Sequence, residues 1–318
     1  MADKIIEVKG LTKKYEDLVA VDNLDLDLYK GEILGLLGPN GSGKSTTIAC
    51  ILSLLSKDSG SIEIFGEEMS PTSYDIKSKI GVVFQDVGVY DELSVYENID
   101  YFCGLYIRDK DKRKAYIQET VDLVGLGDFL KFKPKKLSGG LLRRLNIACG
   151  IAHKPELIIF DEPTVAVDPQ SRNNILEGIK KLNKDGASII YTSHYMDEVE
   201  SLCDYIVILD KGKVIAKGDS DSLKDMIDLE EKISFESDNI SDEAIQKIKS
   251  IDSLIDVSVS GRLIELNFSK SNNNINKLID IFDTYSVDYD HLSSSRPSLN
   301  DVFLEITGKE LRDYYVFA

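Results

Sequence analysis

Nine residues constrain this chain more than any others: Gly38-Pro39-Asn40-Gly41-Ser42-Gly43-Lys44-Ser45-Thr46. They fit G-x-x-x-x-G-K-[ST], the phosphate-binding loop. The motif needs a strand before it and a helix after it. Gly31–Leu37 reads as a short buried strand, and Thr46–Leu52 reads as a helix. Glycines let the backbone wrap around phosphate oxygens, and a helix N-terminus turns free N–H groups toward them. Lys44 is expected to reach the β- and γ-phosphates and Ser45 to hold Mg²⁺, with Asn40, Gly41, Ser42, Gly43 and Thr46 completing the cradle. The chain is therefore expected to bind a nucleoside triphosphate.

The rest of the composition narrows the setting. At 318 residues there is room for one large domain and a small one. No run approaches the ~18 apolar residues of a membrane span, and Met1-Ala2-Asp3-Lys4 lacks the apolar core of a signal peptide. A cytosolic chain with no direct membrane insertion is the expectation. The net charge of −17 argues against nucleic acid or an anionic lipid surface as the main partner. Cys50, Cys103, Cys149 and Cys203 are far apart and form no C-x-x-C, which reads as reduced, buried thiols. With three scattered histidines, no metal-binding cluster is expected beyond the Mg²⁺ that accompanies the nucleotide.

Hydrophobic periodicity divides the chain. Residues 5–30 alternate, with Leu24, Leu26 and Leu28 against Asp25 and Asp27, predicting a sheet with one wet face. Ser61–Phe65 and Ile80–Phe84 predict further strands. Residues 92 to 135 turn helical. Leu157–Phe160, Ser188–Tyr191 and Tyr205–Leu209 are short apolar runs between helices, the pattern of a buried parallel sheet. Past residue 225 the character changes. Lys232–Phe235, Asp242–Lys249, Leu254–Val259, Leu263–Phe268, Ile275–Phe282 and Val287–Leu292 predict β-α-β-β-α-β, a small ferredoxin-like unit, with Ser269–Asn274 a polar loop.

Two further sites join the phosphate loop. Leu157–Phe160 runs straight into Asp161-Glu162. Ligands sit at the carboxyl ends of strands in an open parallel sheet, so Asp161 is poised to hold Mg²⁺ and Glu162 to polarise an attacking water. Ser138-Gly139-Gly140 opens a helix and offers a second anion site.

In one order, then, come the phosphate loop, Gln85 after a strand, Leu137-Ser138-Gly139-Gly140, Asp161-Glu162, Val167-Asp168 and Ser193-His194. This set resembles the ATP-binding subunit of an ABC transporter over residues 5–225. The resemblance implies an α/β P-loop NTPase cassette: a RecA-like core, an antiparallel β-subdomain and a helical subdomain at about 92–150. The cassette would span 1–225 and an accessory α+β domain 226–318. It implies a head-to-tail dimer, expected as a homodimer, with ATP between one Lys44 and the partner's Ser138 and Gly140. Gln85 would sense Mg²⁺ and the lytic water and link the site to membrane subunits. Glu162 would be the catalytic carboxylate, and His194 would contact the γ-phosphate. Asp168 would lie at the dimer interface, and Tyr15 would stack on adenine.

Two positions depart from the family pattern: Leu141 stands where Gln is usual, and Ala166 where Gly is common. Glu162–Arg172 and the tail Pro297–Gly308 are similar to drug and antibiotic exporters of the ABC-2 type, whose ATPase is a separate chain. The implied function is ATP hydrolysis powering an integral membrane permease from the inner face of the cell membrane. The alternative is a soluble ABC ATPase acting on ribosomes or nucleic acid.

Overall fold

A computed structural model describes residues 3–269 and 273–307. Met1-Ala2, part of the Ser269–Asn274 loop and Gly308 of the tail motif lie outside the described residues. The chain divides into two compact units, one ending at Ser220 and one beginning at Asp221.

The first unit opens with two long antiparallel strands, β1 (Lys4–Tyr15) and β2 (Leu18–Tyr29). Leu24, Leu26 and Leu28 are buried while Asp25 is exposed, so the period of two sets one wet face. β3 (Ile33–Leu37) leads through the glycine loop into α1 (Lys44–Ile51). β4 (Ser59–Ile64) and β5 (Glu67–Glu68) complete a sheet ordered β2-β1-β4-β5. After α2 (Tyr74–Lys77) and β6 (Ile80–Val83) come three helices: α3 (Val95–Gly104), α4 (Lys110–Val124) and α5 (Gly139–Ile151). Their ends are written in the sequence. Ser94 and Glu97 form a capping box, Asp109 and Ser138 accept from backbone amides as N-caps, and Gly125 closes α4 at φ +64°.

β7 (Leu157–Asp161), α6 (Pro169–Lys184), β8 (Ser188–Ser193), α7 (Met196–Leu202), β9 (Tyr205–Asp210) and β10 (Lys213–Gly218) follow. The central sheet is ordered β10-β9-β3-β8-β7-β6 and is parallel except where β10 pairs with β9. Every residue of β3, β7 and β8 is buried, as expected for strands covered on both faces. One apolar cluster joins the antiparallel sheet to α1 and the central strands through residues such as Ile6, Leu28, Ile48 and Leu36. A second, from Val95 and Ile99 through Ile117 and Val121 to Leu145 and Ala148, holds α3, α4 and α5 together. Each fully buried aliphatic side chain contributes about 1.5–3 kcal/mol.

α8 (Ser220–Lys224) precedes the second unit's sheet. There β11 (Glu231–Glu236), α9 (Asp242–Lys249), β12 (Leu254–Ser260), β13 (Leu263–Phe268), α10 (Asn274–Tyr285) and β14 (Asp290–Ser295) form an antiparallel sheet ordered β12-β13-β11-β14. Alternate residues Ile233, Phe235, Ile264, Leu266 and Phe268 meet Ala244, Ile248, Leu278 and Phe282 of the two helices. α11 (Leu299–Thr307) buries Leu299, Val302 and Phe303.

The sequence reading slips at three points. The last strand, expected at Val287–Leu292, is Asp290–Ser295. Val287 belongs instead to the core just after Ser286 ends α10 at φ +50°, and the strand itself is Asp-His-Leu-Ser-Ser-Ser, with little apolar period to read. β10 and β5 were not expected, because β10 is polar on its outer positions and β5 is two residues long. α1 begins at Lys44, two residues earlier than the apolar run suggests.

Candidate nucleotide site

The buried strand β3 delivers the glycine loop to the carboxyl end of the central sheet. Gly43 caps α1 at φ +105°, where a Cβ would lie 2.5 Å from the Ala20 carbonyl. A glycine is therefore required by conformation and by space. Ser42 Oγ is buried with no hydrogen-bond partner among the described residues. Such an orphaned hydroxyl, in a glycine loop at a helix N-terminus, fits an anionic ligand. Lys44, 5% exposed, donates to the Gly38 carbonyl at 2.8 Å and the Pro39 carbonyl at 3.3 Å. Its Nζ lies 3.4 Å from Glu162 Oε1. Ser45 and Asn40 are exposed at the loop surface.

β7 ends on Asp161, and β8 beside it ends on Ser193. Thr192 Oγ1 of β8 donates to Asp161 Oδ1 at 2.7 Å and accepts from the Glu162 amide at 2.9 Å. Glu162 stands at φ +49°, a left-handed conformation that costs a non-glycine residue about 1–2 kcal/mol. The hydrogen bonds around it hold it there and aim its carboxylate back toward the loop. Glu162 Oε2 lies 3.3 Å from His194 Nδ1, and its Oε1 faces Lys44. Burial raises the Glu162 pKa, but His194 and Lys44 outweigh it and hold the carboxyl below its ordinary value. Lys44, Glu162 and His194 thus converge on one spot.

The remaining candidates occupy other surfaces. Ser138 caps α5 by accepting from the Leu141 amide at 3.4 Å. Gly140 is pressed against α6: a Cβ there would lie 2.4 Å from Ser171 Oγ and 3.0 Å from Asp168 Oδ2. Asp168 caps α6 through the Ser171 amide at 2.9 Å, and those bonds lower its pKa. Gln85 follows β6, with its side chain at the exposed surface. Tyr15, at the end of β1, is 43% exposed, and Lys13 Nζ sits 5.3 Å above its ring. No hydrogen bond among the described residues runs directly from Tyr15, Gln85, Ser138 or Gly139 to Lys44, Glu162 or His194; the Gln85 carbonyl is linked to that of Glu162 only through Arg143. Ala166 takes φ +58°, so its methyl is held where glycine would be free of strain. Leu141 is half-buried against the α3–α4–α5 core, which explains an apolar residue at that position.

A family model for ABC transporters matches residues 21–165. The linearmycin resistance ATP-binding protein of Bacillus subtilis (strain 168) is 37% identical over 97% of this chain and 100% of its own length. The chain belongs to the ABC transporter family. The daunorubicin resistance ATP-binding protein of Streptomyces coeruleorubidus is 30% identical over 98% of each chain. A solved dimeric bacterial ABC transporter cassette superposes with TM-score 0.62 at 28% identity, covering 67% of this chain and 98% of that one. As an ABC ATP-binding subunit the chain binds and hydrolyses ATP, pairs with a second cassette and works with a membrane permease. Among the described residues no helix is long and apolar enough to cross a membrane.

Sequence reading missed several residues that shape this ABC site. Thr192 carries both acidic residues. Arg143 and Asn146 of α5 reach the backbone after β6, with Asn146 accepting from Gly88 N at 3.0 Å and donating to the Phe84 carbonyl at 3.2 Å. Glu198 of α7, 3% exposed, accepts from Thr164, Tyr191 and Ser193 hydroxyls at 2.8, 2.7 and 2.9 Å and faces Arg172 Nε at 2.9 Å. The one available signal was a charge on a helical face that the 3.6 period marks as buried.

Proposed function

We propose that this chain hydrolyses ATP to drive a separate permease that exports a drug, antibiotic or other hydrophobic or amphipathic compound. One observation carries the export reading: the likeness to the linearmycin resistance protein runs over the whole of that relative, the residues after 225 included. The chain then works in the cytoplasm, held to the inner face of the cell membrane by its partner. An apolar groove of about 450 Å³ next to the Gln85 segment supports that docking. It is lined by Leu54, Phe84, Phe102, Leu105 and Tyr106 among others, and contiguous exposed apolar surface of this kind marks interaction sites. The net charge of −17 disfavours the soluble alternative on ribosomes or nucleic acid.

In this reading Asn40 to Thr46 wrap the phosphates, Lys44 leaves its loop carbonyls for the β- and γ-phosphates, and Tyr15 stacks on adenine. Glu162 receives the proton of the attacking water, and His194 steadies the γ-phosphate. Ser138, Gly139 and Gly140 complete the site of a second, identical chain across a head-to-tail dimer, with Asp168 at the seam. Ser45, Gln85 and Asp161 offer the oxygen donors that Mg²⁺ prefers; the ion supplies charge neutralisation at the phosphates. Catalysis comes from positioning and charge. The cassette spans 1–225, with its helical subdomain at 92–150, and an accessory domain spans 226–318. The β-α-β-β-α-β element order supports a ferredoxin-like form for that domain.

The test is Glu162→Gln. It is expected to keep ATP binding, abolish turnover and trap an ATP-bound dimer, read by nucleotide binding, phosphate release and size-exclusion chromatography. Turnover at the original rate would remove Glu162 as the catalytic carboxylate.

A further inference from the structure

Arg143 sits on α5 one turn and a half past the Ser138 cap, and only 4% of it is exposed. Gly140 and Ile147 on either side belong to the same buried face, so the helical period asks for an apolar residue here. A guanidinium has five N–H donors in a rigid planar fork. All five are used, and every acceptor is a backbone carbonyl. Nε donates to Pro163 at 2.7 Å, one terminal nitrogen to Phe84 at 2.9 Å and Gln85 at 2.6 Å, and the other to Asp161 at 3.3 Å and Glu162 at 2.7 Å. A buried cation is tolerated only when its donors are satisfied in this way.

The carbonyls belong to two segments, the one after β6 that bears Gln85 and the one from the end of β7 onward that bears Asp161, Glu162 and Pro163. Glu162 is the strained residue of the pair. Thr192 holds its amide from one side, and Arg143 holds its carbonyl from the other. With both flanking peptides held, the Cα–Cβ bond of Glu162 is set, and the carboxylate beyond it lies against Lys44 and His194.

We propose that Arg143 is a positioning residue for ATP hydrolysis, clamping the backbone of Gln85 and Glu162 to the helix that begins at Ser138-Gly139-Gly140. It touches no reacting atom. It makes the aim of the Glu162 carboxylate depend on the seating of α5, the helix whose N-terminus meets the nucleotide of the partner. The inference rests on Glu162 being the catalytic carboxylate. Lysine cannot substitute: a compact ammonium carries three donors and cannot span five carbonyls in two segments.

The experiment compares full-length Arg143→Lys, Arg143→Gln, Arg144→Gln and Glu162→Gln with the unaltered chain, reading ATP affinity, KM and kcat. Both Arg143 variants are expected to bind ATP within about threefold of the original while kcat falls by roughly tenfold to a hundredfold, the cost of displacing a reacting group by about 1 Å. Arg144 instead donates to the Val124 and Gly125 carbonyls at the end of α4, so Arg144→Gln is expected to lower stability and leave kcat alone. An original kcat in Arg143→Lys or Arg143→Gln, with Glu162→Gln inactive, overturns the positioning role and leaves Glu162 standing. Loss of ATP binding in both Arg143 variants also overturns it, because the residue then merely supports the fold. Turnover in Glu162→Gln brings down the underlying reading instead.

Discussion

At the scale of single residues, the chain places titratable groups where burial changes their chemistry. His153 is buried under Tyr106, their rings 4.0 Å apart and nearly parallel, with Nε2 3.2 Å from the Ile80 carbonyl. Burial drives its pKa down to about 4, against a small opposing effect of that carbonyl. The unfolded chain, with an ordinary imidazole near 6.5, therefore binds the proton first. Stability from a neutral His153 is full above pH 6.5 and is lost as pH falls from there toward 4. At pH 5 the loss is on the order of 2 kcal/mol. Urea unfolding at pH 7 and pH 5 should show this drop in the original chain and a smaller one in His153→Gln; equal drops would exclude His153 as its source. Glu162 is a carboxylate held below its ordinary value by His194 and Lys44 against the effect of burial, so it stays ionised at neutral pH. The phosphate loop, Asp161 and Glu162 stood out in the sequence because a glycine loop with its lysine and carboxylates at a strand end suit phosphate chemistry, whereas His194 stood out only through the resemblance to the family. Arg143 and Glu198 did not stand out. Their partners are carbonyls and hydroxyls 18 or more residues away for Arg143 and as far as Thr164 for Glu198, and the local pattern shows only a charge on a buried helical face, not what it bonds.

Elements meet here through what their sequences leave out. α5 crosses β6 glycine to glycine: a Cβ on Gly150 would lie 2.7 Å from the Val82 carbonyl, and one on Gly81 2.6 Å from the Gly150 carbonyl. Backbone on both sides leaves nothing flexible to yield. Gly178 of α6 has nothing within 4 Å of its Cβ position. The two helical glycines should therefore respond with opposite sign. Gly150→Ala is expected to cost about 1–3 kcal/mol from overpacking, and Gly178→Ala to gain about 0.5–1 kcal/mol from helix propensity. Thermal unfolding of the pair checks this, and a neutral Gly150→Ala would show that α5 can shift on the sheet. Strands with continuous apolar runs, such as β7 and β8, were legible from the sequence. The serine-rich β14 was displaced by three residues, because its pairing with β11 rests on backbone hydrogen bonds that side-chain pattern does not report.

For the whole molecule, the decisive expectation concerns what it associates with. Membranes extracted in mild detergent should yield the chain together with a stoichiometric multi-span protein, and that complex should survive high salt because the groove beside Gln85 is apolar. Recovery with ribosomes or DNA instead would sink the exporter reading. The sequence by itself determined the ABC cassette, the nucleotide chemistry, the apolar strands of the buried sheet and the β-α-β-β-α-β order of the second unit. These depend on local spacing: a glycine loop between strand and helix, carboxylates at a strand end, periods of two and 3.6. Only the tertiary structure decided which of those residues converge. Lys44, Glu162 and His194 are brought together from the segments that follow β3, β7 and β8, strands whose order in the sheet is not their order in the chain. Arg143 and Thr192 then fix Glu162 in a backbone conformation that its own residue type disfavours. Such bonds are made across long sequence separations by backbone groups common to every residue, and so they exist only once the chain has folded.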